Sequence, residues 1–366
     1  MILTKKVRLI VGDSEVQQLY RSANTARWAY NWTLRMQQMN YRFGGKFISD
    51  NVLRKHITKL KKRKKYAWLN DVSNNIVKQA VKDACLAYKR FFKGQSKFPR
   101  YKSKRRTPPS FYNDNVKLKA KHKTVLIEKV GWIKTAEQLP MGCKYYNPRV
   151  KFDGKYWYLT VGIDVEQPKI ELGHRTIGID VGIKELAVTS DGVFYKNINK
   201  TTTVKKEEKR LKRLQRQASK KYKKRTPKSS NLIKLENKIR RKHRRLANIR
   251  TNYIHQVSSE IVKTKPSRIV MEDLNISGMM KNRHLAKAVA NQKLSEFKFM
   301  MMYKCEKYGI KFIEAGRWFP SSKTCHSCGL INKNLKLSDR MYHCECGNVC
   351  DRDLNASYNL RDYQVV

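Results

Sequence analysis

Residues 157–165, WYLTVGIDV, place Trp157, Leu159, Val161, Ile163 and Val165 at alternate positions. That is the two-residue period of a strand with one buried face. Residues 1–12, MILTKKVRLIVG, are expected to form another strand. The period then lengthens. Over residues 14–41, Val16, Leu19, Ala23, Ala26, Trp28, Tyr30 and Leu34 fit a broad helical face. Over residues 73–92 a second helix carries Ile76, Val77, Ala80, Ala84, Ala87, Tyr88 and Phe91, and Gly94 stops it. Residues 94–115 hold Pro99, Pro108 and Pro109 among many cations and read as a basic loop; residues 116–166 read as β-rich.

Residues 166–173, EQPKIELG, look like a linker, and the pattern changes after them. TIGIDVGIKELAVTSDGVFY predicts two strands and a third near Gly192, a meander that opens a new domain. Two charged helices broken near Pro227 follow, with Leu211, Leu214, Leu232, Leu235, Ile239 and Leu246 as their apolar positions. The pattern then predicts a helix over residues 246–264, the strand SRIVMEDL and a long helix over residues 284–308 closed by Gly309. A short strand, IKFIEAG, and a last helix starting near Asp353 complete the reading.

Charge narrows the function. The 366 residues carry 81 Lys+Arg against 29 Asp+Glu, a formal net charge of +52. So large an excess repels itself unless a polyanion neutralises it, and nucleic acid is the usual one. The cations run through nearly the whole chain, which argues against a basic tail on a neutral enzyme. No apolar run approaches the ~20 residues a membrane span needs, and the apolar core of the N-terminus is too short for a signal peptide. Residues 200–250 contain 22 Lys/Arg and only three Glu. A helical hairpin of this charge is expected to bind phosphates, with Lys205, Arg210, Arg213, Lys220, Lys224, Arg241 and Arg245 as candidates.

Three acids stand out by position. Asp180 lies inside the apolar run TIGIDVG, Glu272 near the end of RIVMEDL, and Asp353 in DRDLNAS. An acid within an apolar strand is costly unless paired or bound to metal. Two strands and a late helix would carry the three acids, and three converging carboxylates suit two hard divalent ions, Mg²⁺ by default, and in-line phosphodiester hydrolysis. Asp273 and Asp351 are rivals. Asp273 should point to the opposite strand face from Glu272, while Asp351 either caps the last helix or reaches a metal.

Of eight cysteines, Cys85, Cys143 and Cys305 are dispersed, as in a reduced cytosolic protein. Cys325, Cys328, Cys344, Cys346 and Cys350 cluster. Cys325-His-Ser-Cys328-Gly and Cys344-Glu-Cys346-Gly point to one structural Zn²⁺ held by four thiolates. The second pair is one residue shorter than the usual C-x-x-C, so His326, His343 and Cys350 stand as substitutes, with Cys350 as the expected spare.

The segments GIDVGIKELAV, IVMEDLN, SSKTCHSCG and CECGNVCDRDLNAS, in that order, resemble the TnpB family, insertion-sequence-encoded relatives of type V CRISPR effector nucleases. The N-terminal half, including the helix ending AYKRFF, fits as well, so the resemblance spans essentially the whole chain. It implies a multidomain α/β protein. A RuvC-like nuclease domain of RNase H fold would occupy residues 172–366, with the basic hairpin 200–250 and a zinc ribbon 320–350 inserted. A β-barrel-like wedge domain, residues 1–12 and 116–168, would precede it and carry a helical recognition insert, 13–115. Asp180, Glu272 and Asp353 fall on the family's catalytic positions, and Cys325, Cys328, Cys344 and Cys346 on its zinc-ribbon positions. The resemblance also implies a structured guide RNA from the transposon end, directing cleavage of double-stranded DNA beside a transposon-adjacent motif. Lys78, Gln79 and Lys82 are then expected at a nucleic-acid groove, and a cytoplasmic monomer is expected. Two alternatives are a nuclease-inactive, RNA-guided DNA-binding protein or repressor, and a transposase acting without RNA. All three acids are present, which weighs against the first. No convincing strand-transfer nucleophile supports the second.

Overall fold

The computed structural model describes residues 1–364 except Arg105, Lys169, Arg225 and Leu337. Two compact units, Met1–Glu166 and Gln167–Val366, each have their own core. Among the described residues no helix is long and apolar enough to cross a membrane.

In the first unit, strand β1 (Ile2–Ile10) leads into helices α1 (Asp13–Arg42), α2 (Asp50–Lys61) and α3 (Asn74–Phe92). Ser49 and Ser73 cap α2 and α3 by accepting from the Val52 and Asn75 amides. Strands β2 (Ser110–Tyr112), β3 (Lys119–Lys121), β4 (Thr124–Ile127), β5 (Gly131–Thr135), β6 (Tyr145–Phe152) and β7 (Trp157–Asp164) follow. With β1 they form one antiparallel sheet of order β2-β6-β7-β1-β5-β4-β3. Strand β7 alternates as its sequence demands: Trp157, Leu159, Val161 and Ile163 are buried. They share a core with Leu19 and Leu34 of α1 and Ile76 and Val81 of α3. Trp28 of α1 is only half-buried and lies at the edge of that core.

The second unit opens with β8 (Thr176–Val181), β9 (Glu185–Thr189) and β10 (Phe194–Lys196). Helices α4 (Thr202–Lys221) and α5 (Ser230–Lys263) form a hairpin, and β11 (Arg268–Glu272) returns to the sheet. After α6 (Ile276–Met279), α7 (Ala286–Gln292) and α8 (Leu294–Tyr308), β12 (Lys311–Ala315) completes it. The order is β10-β9-β8-β11-β12, antiparallel from β10 to β8 and parallel from β8 to β12. A short hairpin, β13 (Met341–His343) and β14 (Val349–Asp351), precedes helix α9 (Arg352–Arg361).

Two of the expected helices depart from the sequence pattern. Helix α5 is continuous where two helices are expected, because nothing in residues 240–250 breaks it. Its first half packs Leu246 against Val204 and Leu211 of α4. Its second half packs Ile254, Val257, Ile261 and Val262 against the sheet. The predicted helix over 284–308 breaks at Lys293, which adopts a left-handed φ of 58°. That conformation costs a non-glycine residue about 1–2 kcal/mol. Buried Gln292 offsets it by donating to the Gly182 and Glu185 carbonyls at 3.1 and 3.2 Å, and Lys293 Nζ donates to Thr251 Oγ1 at 2.6 Å.

The two faces of this sheet differ. Ile177, Ile179, Val181, Ile269 and Met271 point to one face, under α5 and α8. The opposite face carries Gly178, Val270, Ile313 and Ala315, and α9 lies on it through Leu360. Gly178 makes this seating possible. A Cβ there would come within 2.9 Å of the Leu360 carbonyl carbon, and closer still to the Ser357 carbonyl oxygen and the Arg361 amide nitrogen. These are backbone atoms and cannot swing aside. Gly178→Ala is therefore expected to displace α9 and to cost at least the ~1–3 kcal/mol typical of overpacking. Urea unfolding against wild type checks it; an unchanged midpoint would show that α9 does not sit this close.

Candidate active site and cysteine cluster

Strand register assembles the first two acids. Strands β8 and β11 pair in parallel up to Met271↔Ile179, so the next residues, Glu272 and Asp180, lie side by side. Asp180 and Gly178 are two positions apart and share a face, as do Glu272 and Val270. Helix α9 seats Ser357, Leu360 and Arg361 at Gly178, and Asp353 lies one turn before Ser357. The helix N-terminus therefore brings the third acid to the first two.

The electrostatics record the convergence. Burial, then the Glu272 and Asp353 carboxylates, push Asp180 well above the usual carboxylate range. Burial also raises Glu272; the Ser321 hydroxyl, which donates to its Oε1, opposes this, and Asp353 adds to it. Arg352 supplies the nearby positive charge, with Nη2 3.1 Å from Asp353 Oδ1. Of the rival acids, Asp351 caps α9: its Oδ1 accepts from the Asp353 and Leu354 amides at 2.9 and 3.2 Å. Asp273 pairs with Arg317 at 2.6 Å and Lys298 at 3.2 Å, and these cations hold it below its ordinary value.

The sulfurs of Cys325, Cys328, Cys344 and Cys346 all lie within 4.8 Å of one another. Cys325 and Cys346 are 3.7 Å apart, Cys328 and Cys344 3.5 Å. A tetrahedral zinc with Zn–S of about 2.3 Å puts its sulfurs about 3.8 Å apart, so the four donors fit that ion. Gly329 and Gly347, at φ 77° and 84°, close the two knuckle turns through bonds to the Cys325 and Cys344 carbonyls. Burial works against the Cys325 thiolate. The backbone amides of Cys328 and Ser327 and the Asn348 side chain outweigh it and bring this thiol down to about 6. Cys325 is thus the thiol of the four most readily ionised, whereas at Cys344 the Cys346 amide is outweighed by burial and the neighbouring sulfurs, which push that thiol up to about 12. Cys350 lies outside the four, on β14.

Buried amides join cluster and acids, a link sequence reasoning missed. Asn355 of α9, fully buried, donates to the Thr324 carbonyl at 2.7 Å and accepts from the His326 amide at 3.1 Å. Asn359 donates to the Ser321 and Thr324 carbonyls, both at 2.7 Å. The segment running from Ser321, which holds Glu272, to Cys325 is therefore tied to the helix that carries Asp353. The signal in the sequence was two asparagines four apart in DLNASYN, one helical face.

Of the candidate nucleic-acid contacts, Lys205, Arg210, Arg213 and Lys220 on α4, Lys224 after it, and Arg241 and Arg245 on α5 are all exposed. Arg210, Lys242 and Arg245 converge on Glu207, whose carboxylate is buried. Lys242 first, then Arg210 and Arg245, hold Glu207 below its ordinary value against the cost of burial. On α3, Lys78 and Lys82 are exposed, whereas Gln79 is half-buried and donates to Asp83 at 2.8 Å. Asp83 in turn accepts from both terminal guanidinium nitrogens of Arg149.

The raised Asp180 has a thermodynamic consequence. Between its unfolded and folded pKa the native chain binds a proton that the unfolded chain lacks, so its contribution to stability falls as pH rises through that window. In EDTA, Asp180→Asn is expected to stabilise the protein, and the gain should grow as pH rises from about 4. Thermal unfolding reads this, each 1 kcal/mol moving Tm by about 2–4 °C at this unit's size. A variant less stable than wild type would show that the carboxylates do not repel.

Residues 159–283 match a family model described as "Probable transposase", residues 295–360 a "Cas12f1-like, TNB domain", and residues 1–46 a "Helix-turn-helix domain". The last stretch is strand β1 and helix α1 in the structure. A Streptomyces pristinaespiralis protein named "Putative RNA-guided DNA endonuclease" is 29% identical over 359 residues, 97% of this chain and 87% of the relative. "Putative RNA-guided DNA endonuclease InsQ" of Escherichia coli K12 is 28% identical over 372 residues, 97% of this chain and 90% of the relative. The fold resembles a chain in the Cas12f1-sgRNA-target DNA complex, with a TM-score of 0.58 at 16% identity over 95% of this chain and 82% of that one. With its motifs in family order and relatives matched over nearly their full length, the chain belongs to the TnpB family.

Proposed function

We propose that the protein is an RNA-guided DNA endonuclease of an insertion sequence, with Asp180, Glu272 and Asp353 as its catalytic carboxylates. The observation that carries the chemistry is the convergence of these acids at the end of β8, strong enough to push Asp180 up. The names of the two relatives support the guided activity on DNA. Strand order β10-β9-β8-β11-β12 supports a RuvC-like core of RNase H fold in the second unit. The first unit, a sheet with three helices after β1, is read as the wedge domain with its recognition insert.

Three hard carboxylate donors with one arginine nearby are a set that divalent cations complete, and Mg²⁺ suits them. Such ions would supply an activated water and offset charge on the leaving oxygen. The residues themselves do the positioning. Ser321 orients Glu272, Asp351 and Gly178 fix the helix that carries Asp353, and Arg352 holds the Asp353 carboxylate. The exposed cations of α4 and α5 are assigned to phosphates of the RNA or the target. Lys78 and Lys82 are assigned to a groove beside α3. The cysteine cluster is assigned one structural zinc. A nuclease-inactive binding protein has no observation in its favour, since all three acids converge.

Two experiments test this reading. Purified protein should carry a discrete, protected RNA, and a duplex matching its 3′ segment should be cut in Mg²⁺ but not in EDTA. Cleavage that ignores the guide sequence, or persists in EDTA, would contradict it. Metal analysis should find about one zinc per chain, with Cys344→Ser losing the zinc and lowering Tm. Full zinc retention and unchanged Tm in that variant would show the ligand set to be wrong.

A further inference from the structure

Helix α1 buries its Leu19, Ala23, Ala26, Tyr30 and Leu34 side, leaving Trp28 and Trp32 half-buried on its flank. The 3₁₀ turn Lys64–Asn70 brings Tyr66 and Trp68 beside them. Ring centroids are 5.2 Å apart for Trp28–Trp68, 5.9 Å for Trp28–Tyr66 and 6.2 Å for Trp28–Trp32. Trp68 is 38% exposed, a large apolar ring facing water. It and Trp28 wall a groove that Gln17, Tyr20, Arg21 and Asn24 also line.

The chain leading into this turn is strongly basic. Residues 59–65, KLKKRKK, hold six cations in seven positions, and no acid occurs between residues 51 and 70. Asp71 meets Arg21 at 3.8 Å at the groove's edge. Holding the 3₁₀ turn onto α1 accounts for Trp28 and Tyr66. It accounts neither for an exposed Trp68 nor for the cation run that precedes it. Flat aromatic faces, amides able to pair with base edges, and cations close by in the chain are the parts of a single-strand binding site.

We propose that this groove binds unpaired RNA, with a base stacked on Trp68 and the adjoining phosphates held by Arg63, Lys64 and Lys65. The choice of RNA rests on the guided-nuclease reading. There the RNA is the resident partner with unpaired nucleotides, while the target DNA arrives with its bases stacked in a duplex. The stacking itself follows from the rings and the charge alone.

The test is equilibrium binding of the full chain, stripped of nucleic acid in high salt, to an unstructured RNA of about 12 nucleotides, within the span single-strand sites cover. Trp68→Ala should weaken binding roughly 5- to 150-fold, the worth of one base stack, without altering the salt dependence. Trp68→Phe, which keeps a stacking face, should retain most of the affinity. Replacing Arg63, Lys64 and Lys65 together by Gln should lower the slope of log K against log salt by about 2, at ~0.7 per phosphate. Wild-type affinity in Trp68→Ala, or equal losses in Trp68→Ala and Trp68→Phe, would overturn the stack. Tighter binding of the matching DNA strand, or Trp68-dependent binding of phosphatidylserine vesicles in place of RNA, would overturn the ligand. The readout is binding, so its failure leaves guided cleavage standing, and a failure of guided cleavage leaves the stack standing.

Discussion

The contact between Gly178 and the backbone of α9 is the constraint on which the second unit depends. A helix normally keeps its distance from a sheet because side chains stand between them. Here one hydrogen atom replaces a side chain, and the Ser357–Arg361 backbone comes down onto β8. One turn upstream, the same helix presents Asp353 beside two carboxylates that strand register has already paired. Moving the helix away by the thickness of a methyl group would separate the acids. The arrangement is costly in itself, since it buries like charges together, and the raised Asp180 is the sign of that cost.

The cysteine cluster belongs to the same mechanical unit. It sits between Ser321, which bonds Glu272, and the start of α9, and Asn355 and Asn359 stitch those ends together. A metal there does no chemistry in this account. It shortens the freedom of the loop that orients one acid and of the helix that carries another. The basic hairpin follows the same economy on a larger scale. One buried glutamate, Glu207, gathers three cations between α4 and α5, so the remaining charge points outward from a rigid pair of helices.

Much of this was legible in the sequence. The alternation of β7 and the helical stripes of α1 and α3 express local periods that tertiary structure preserves, and Asp180 stands out as an acid inside an apolar strand. The Cys-x-Cys pair raised a question of loop length that geometry answers, because both sulfurs reach the other two. What was not legible depends on contacts between distant segments. Nothing near Lys293 signals a break; it exists because Gln292 reaches the turn after β8. Gly178 reads as an ordinary strand glycine until the helix that lies on it is seen. Trp28 counts among the apolar positions of α1, but the structure leaves it half-buried at the edge of the core and gives it Trp68 as a neighbour.

The central claim is that Asp180, Glu272 and Asp353 act together as one site and that none is merely structural. The most direct test is guide-matched DNA cleavage in Mg²⁺ by Asp180→Asn, Glu272→Gln and Asp353→Asn, with RNA and DNA binding measured on the same preparations. The account requires each variant to lose cleavage by at least about a thousandfold, some 4 kcal/mol of barrier, while binding both nucleic acids as wild type does. Wild-type cleavage by any one of the three would contradict it.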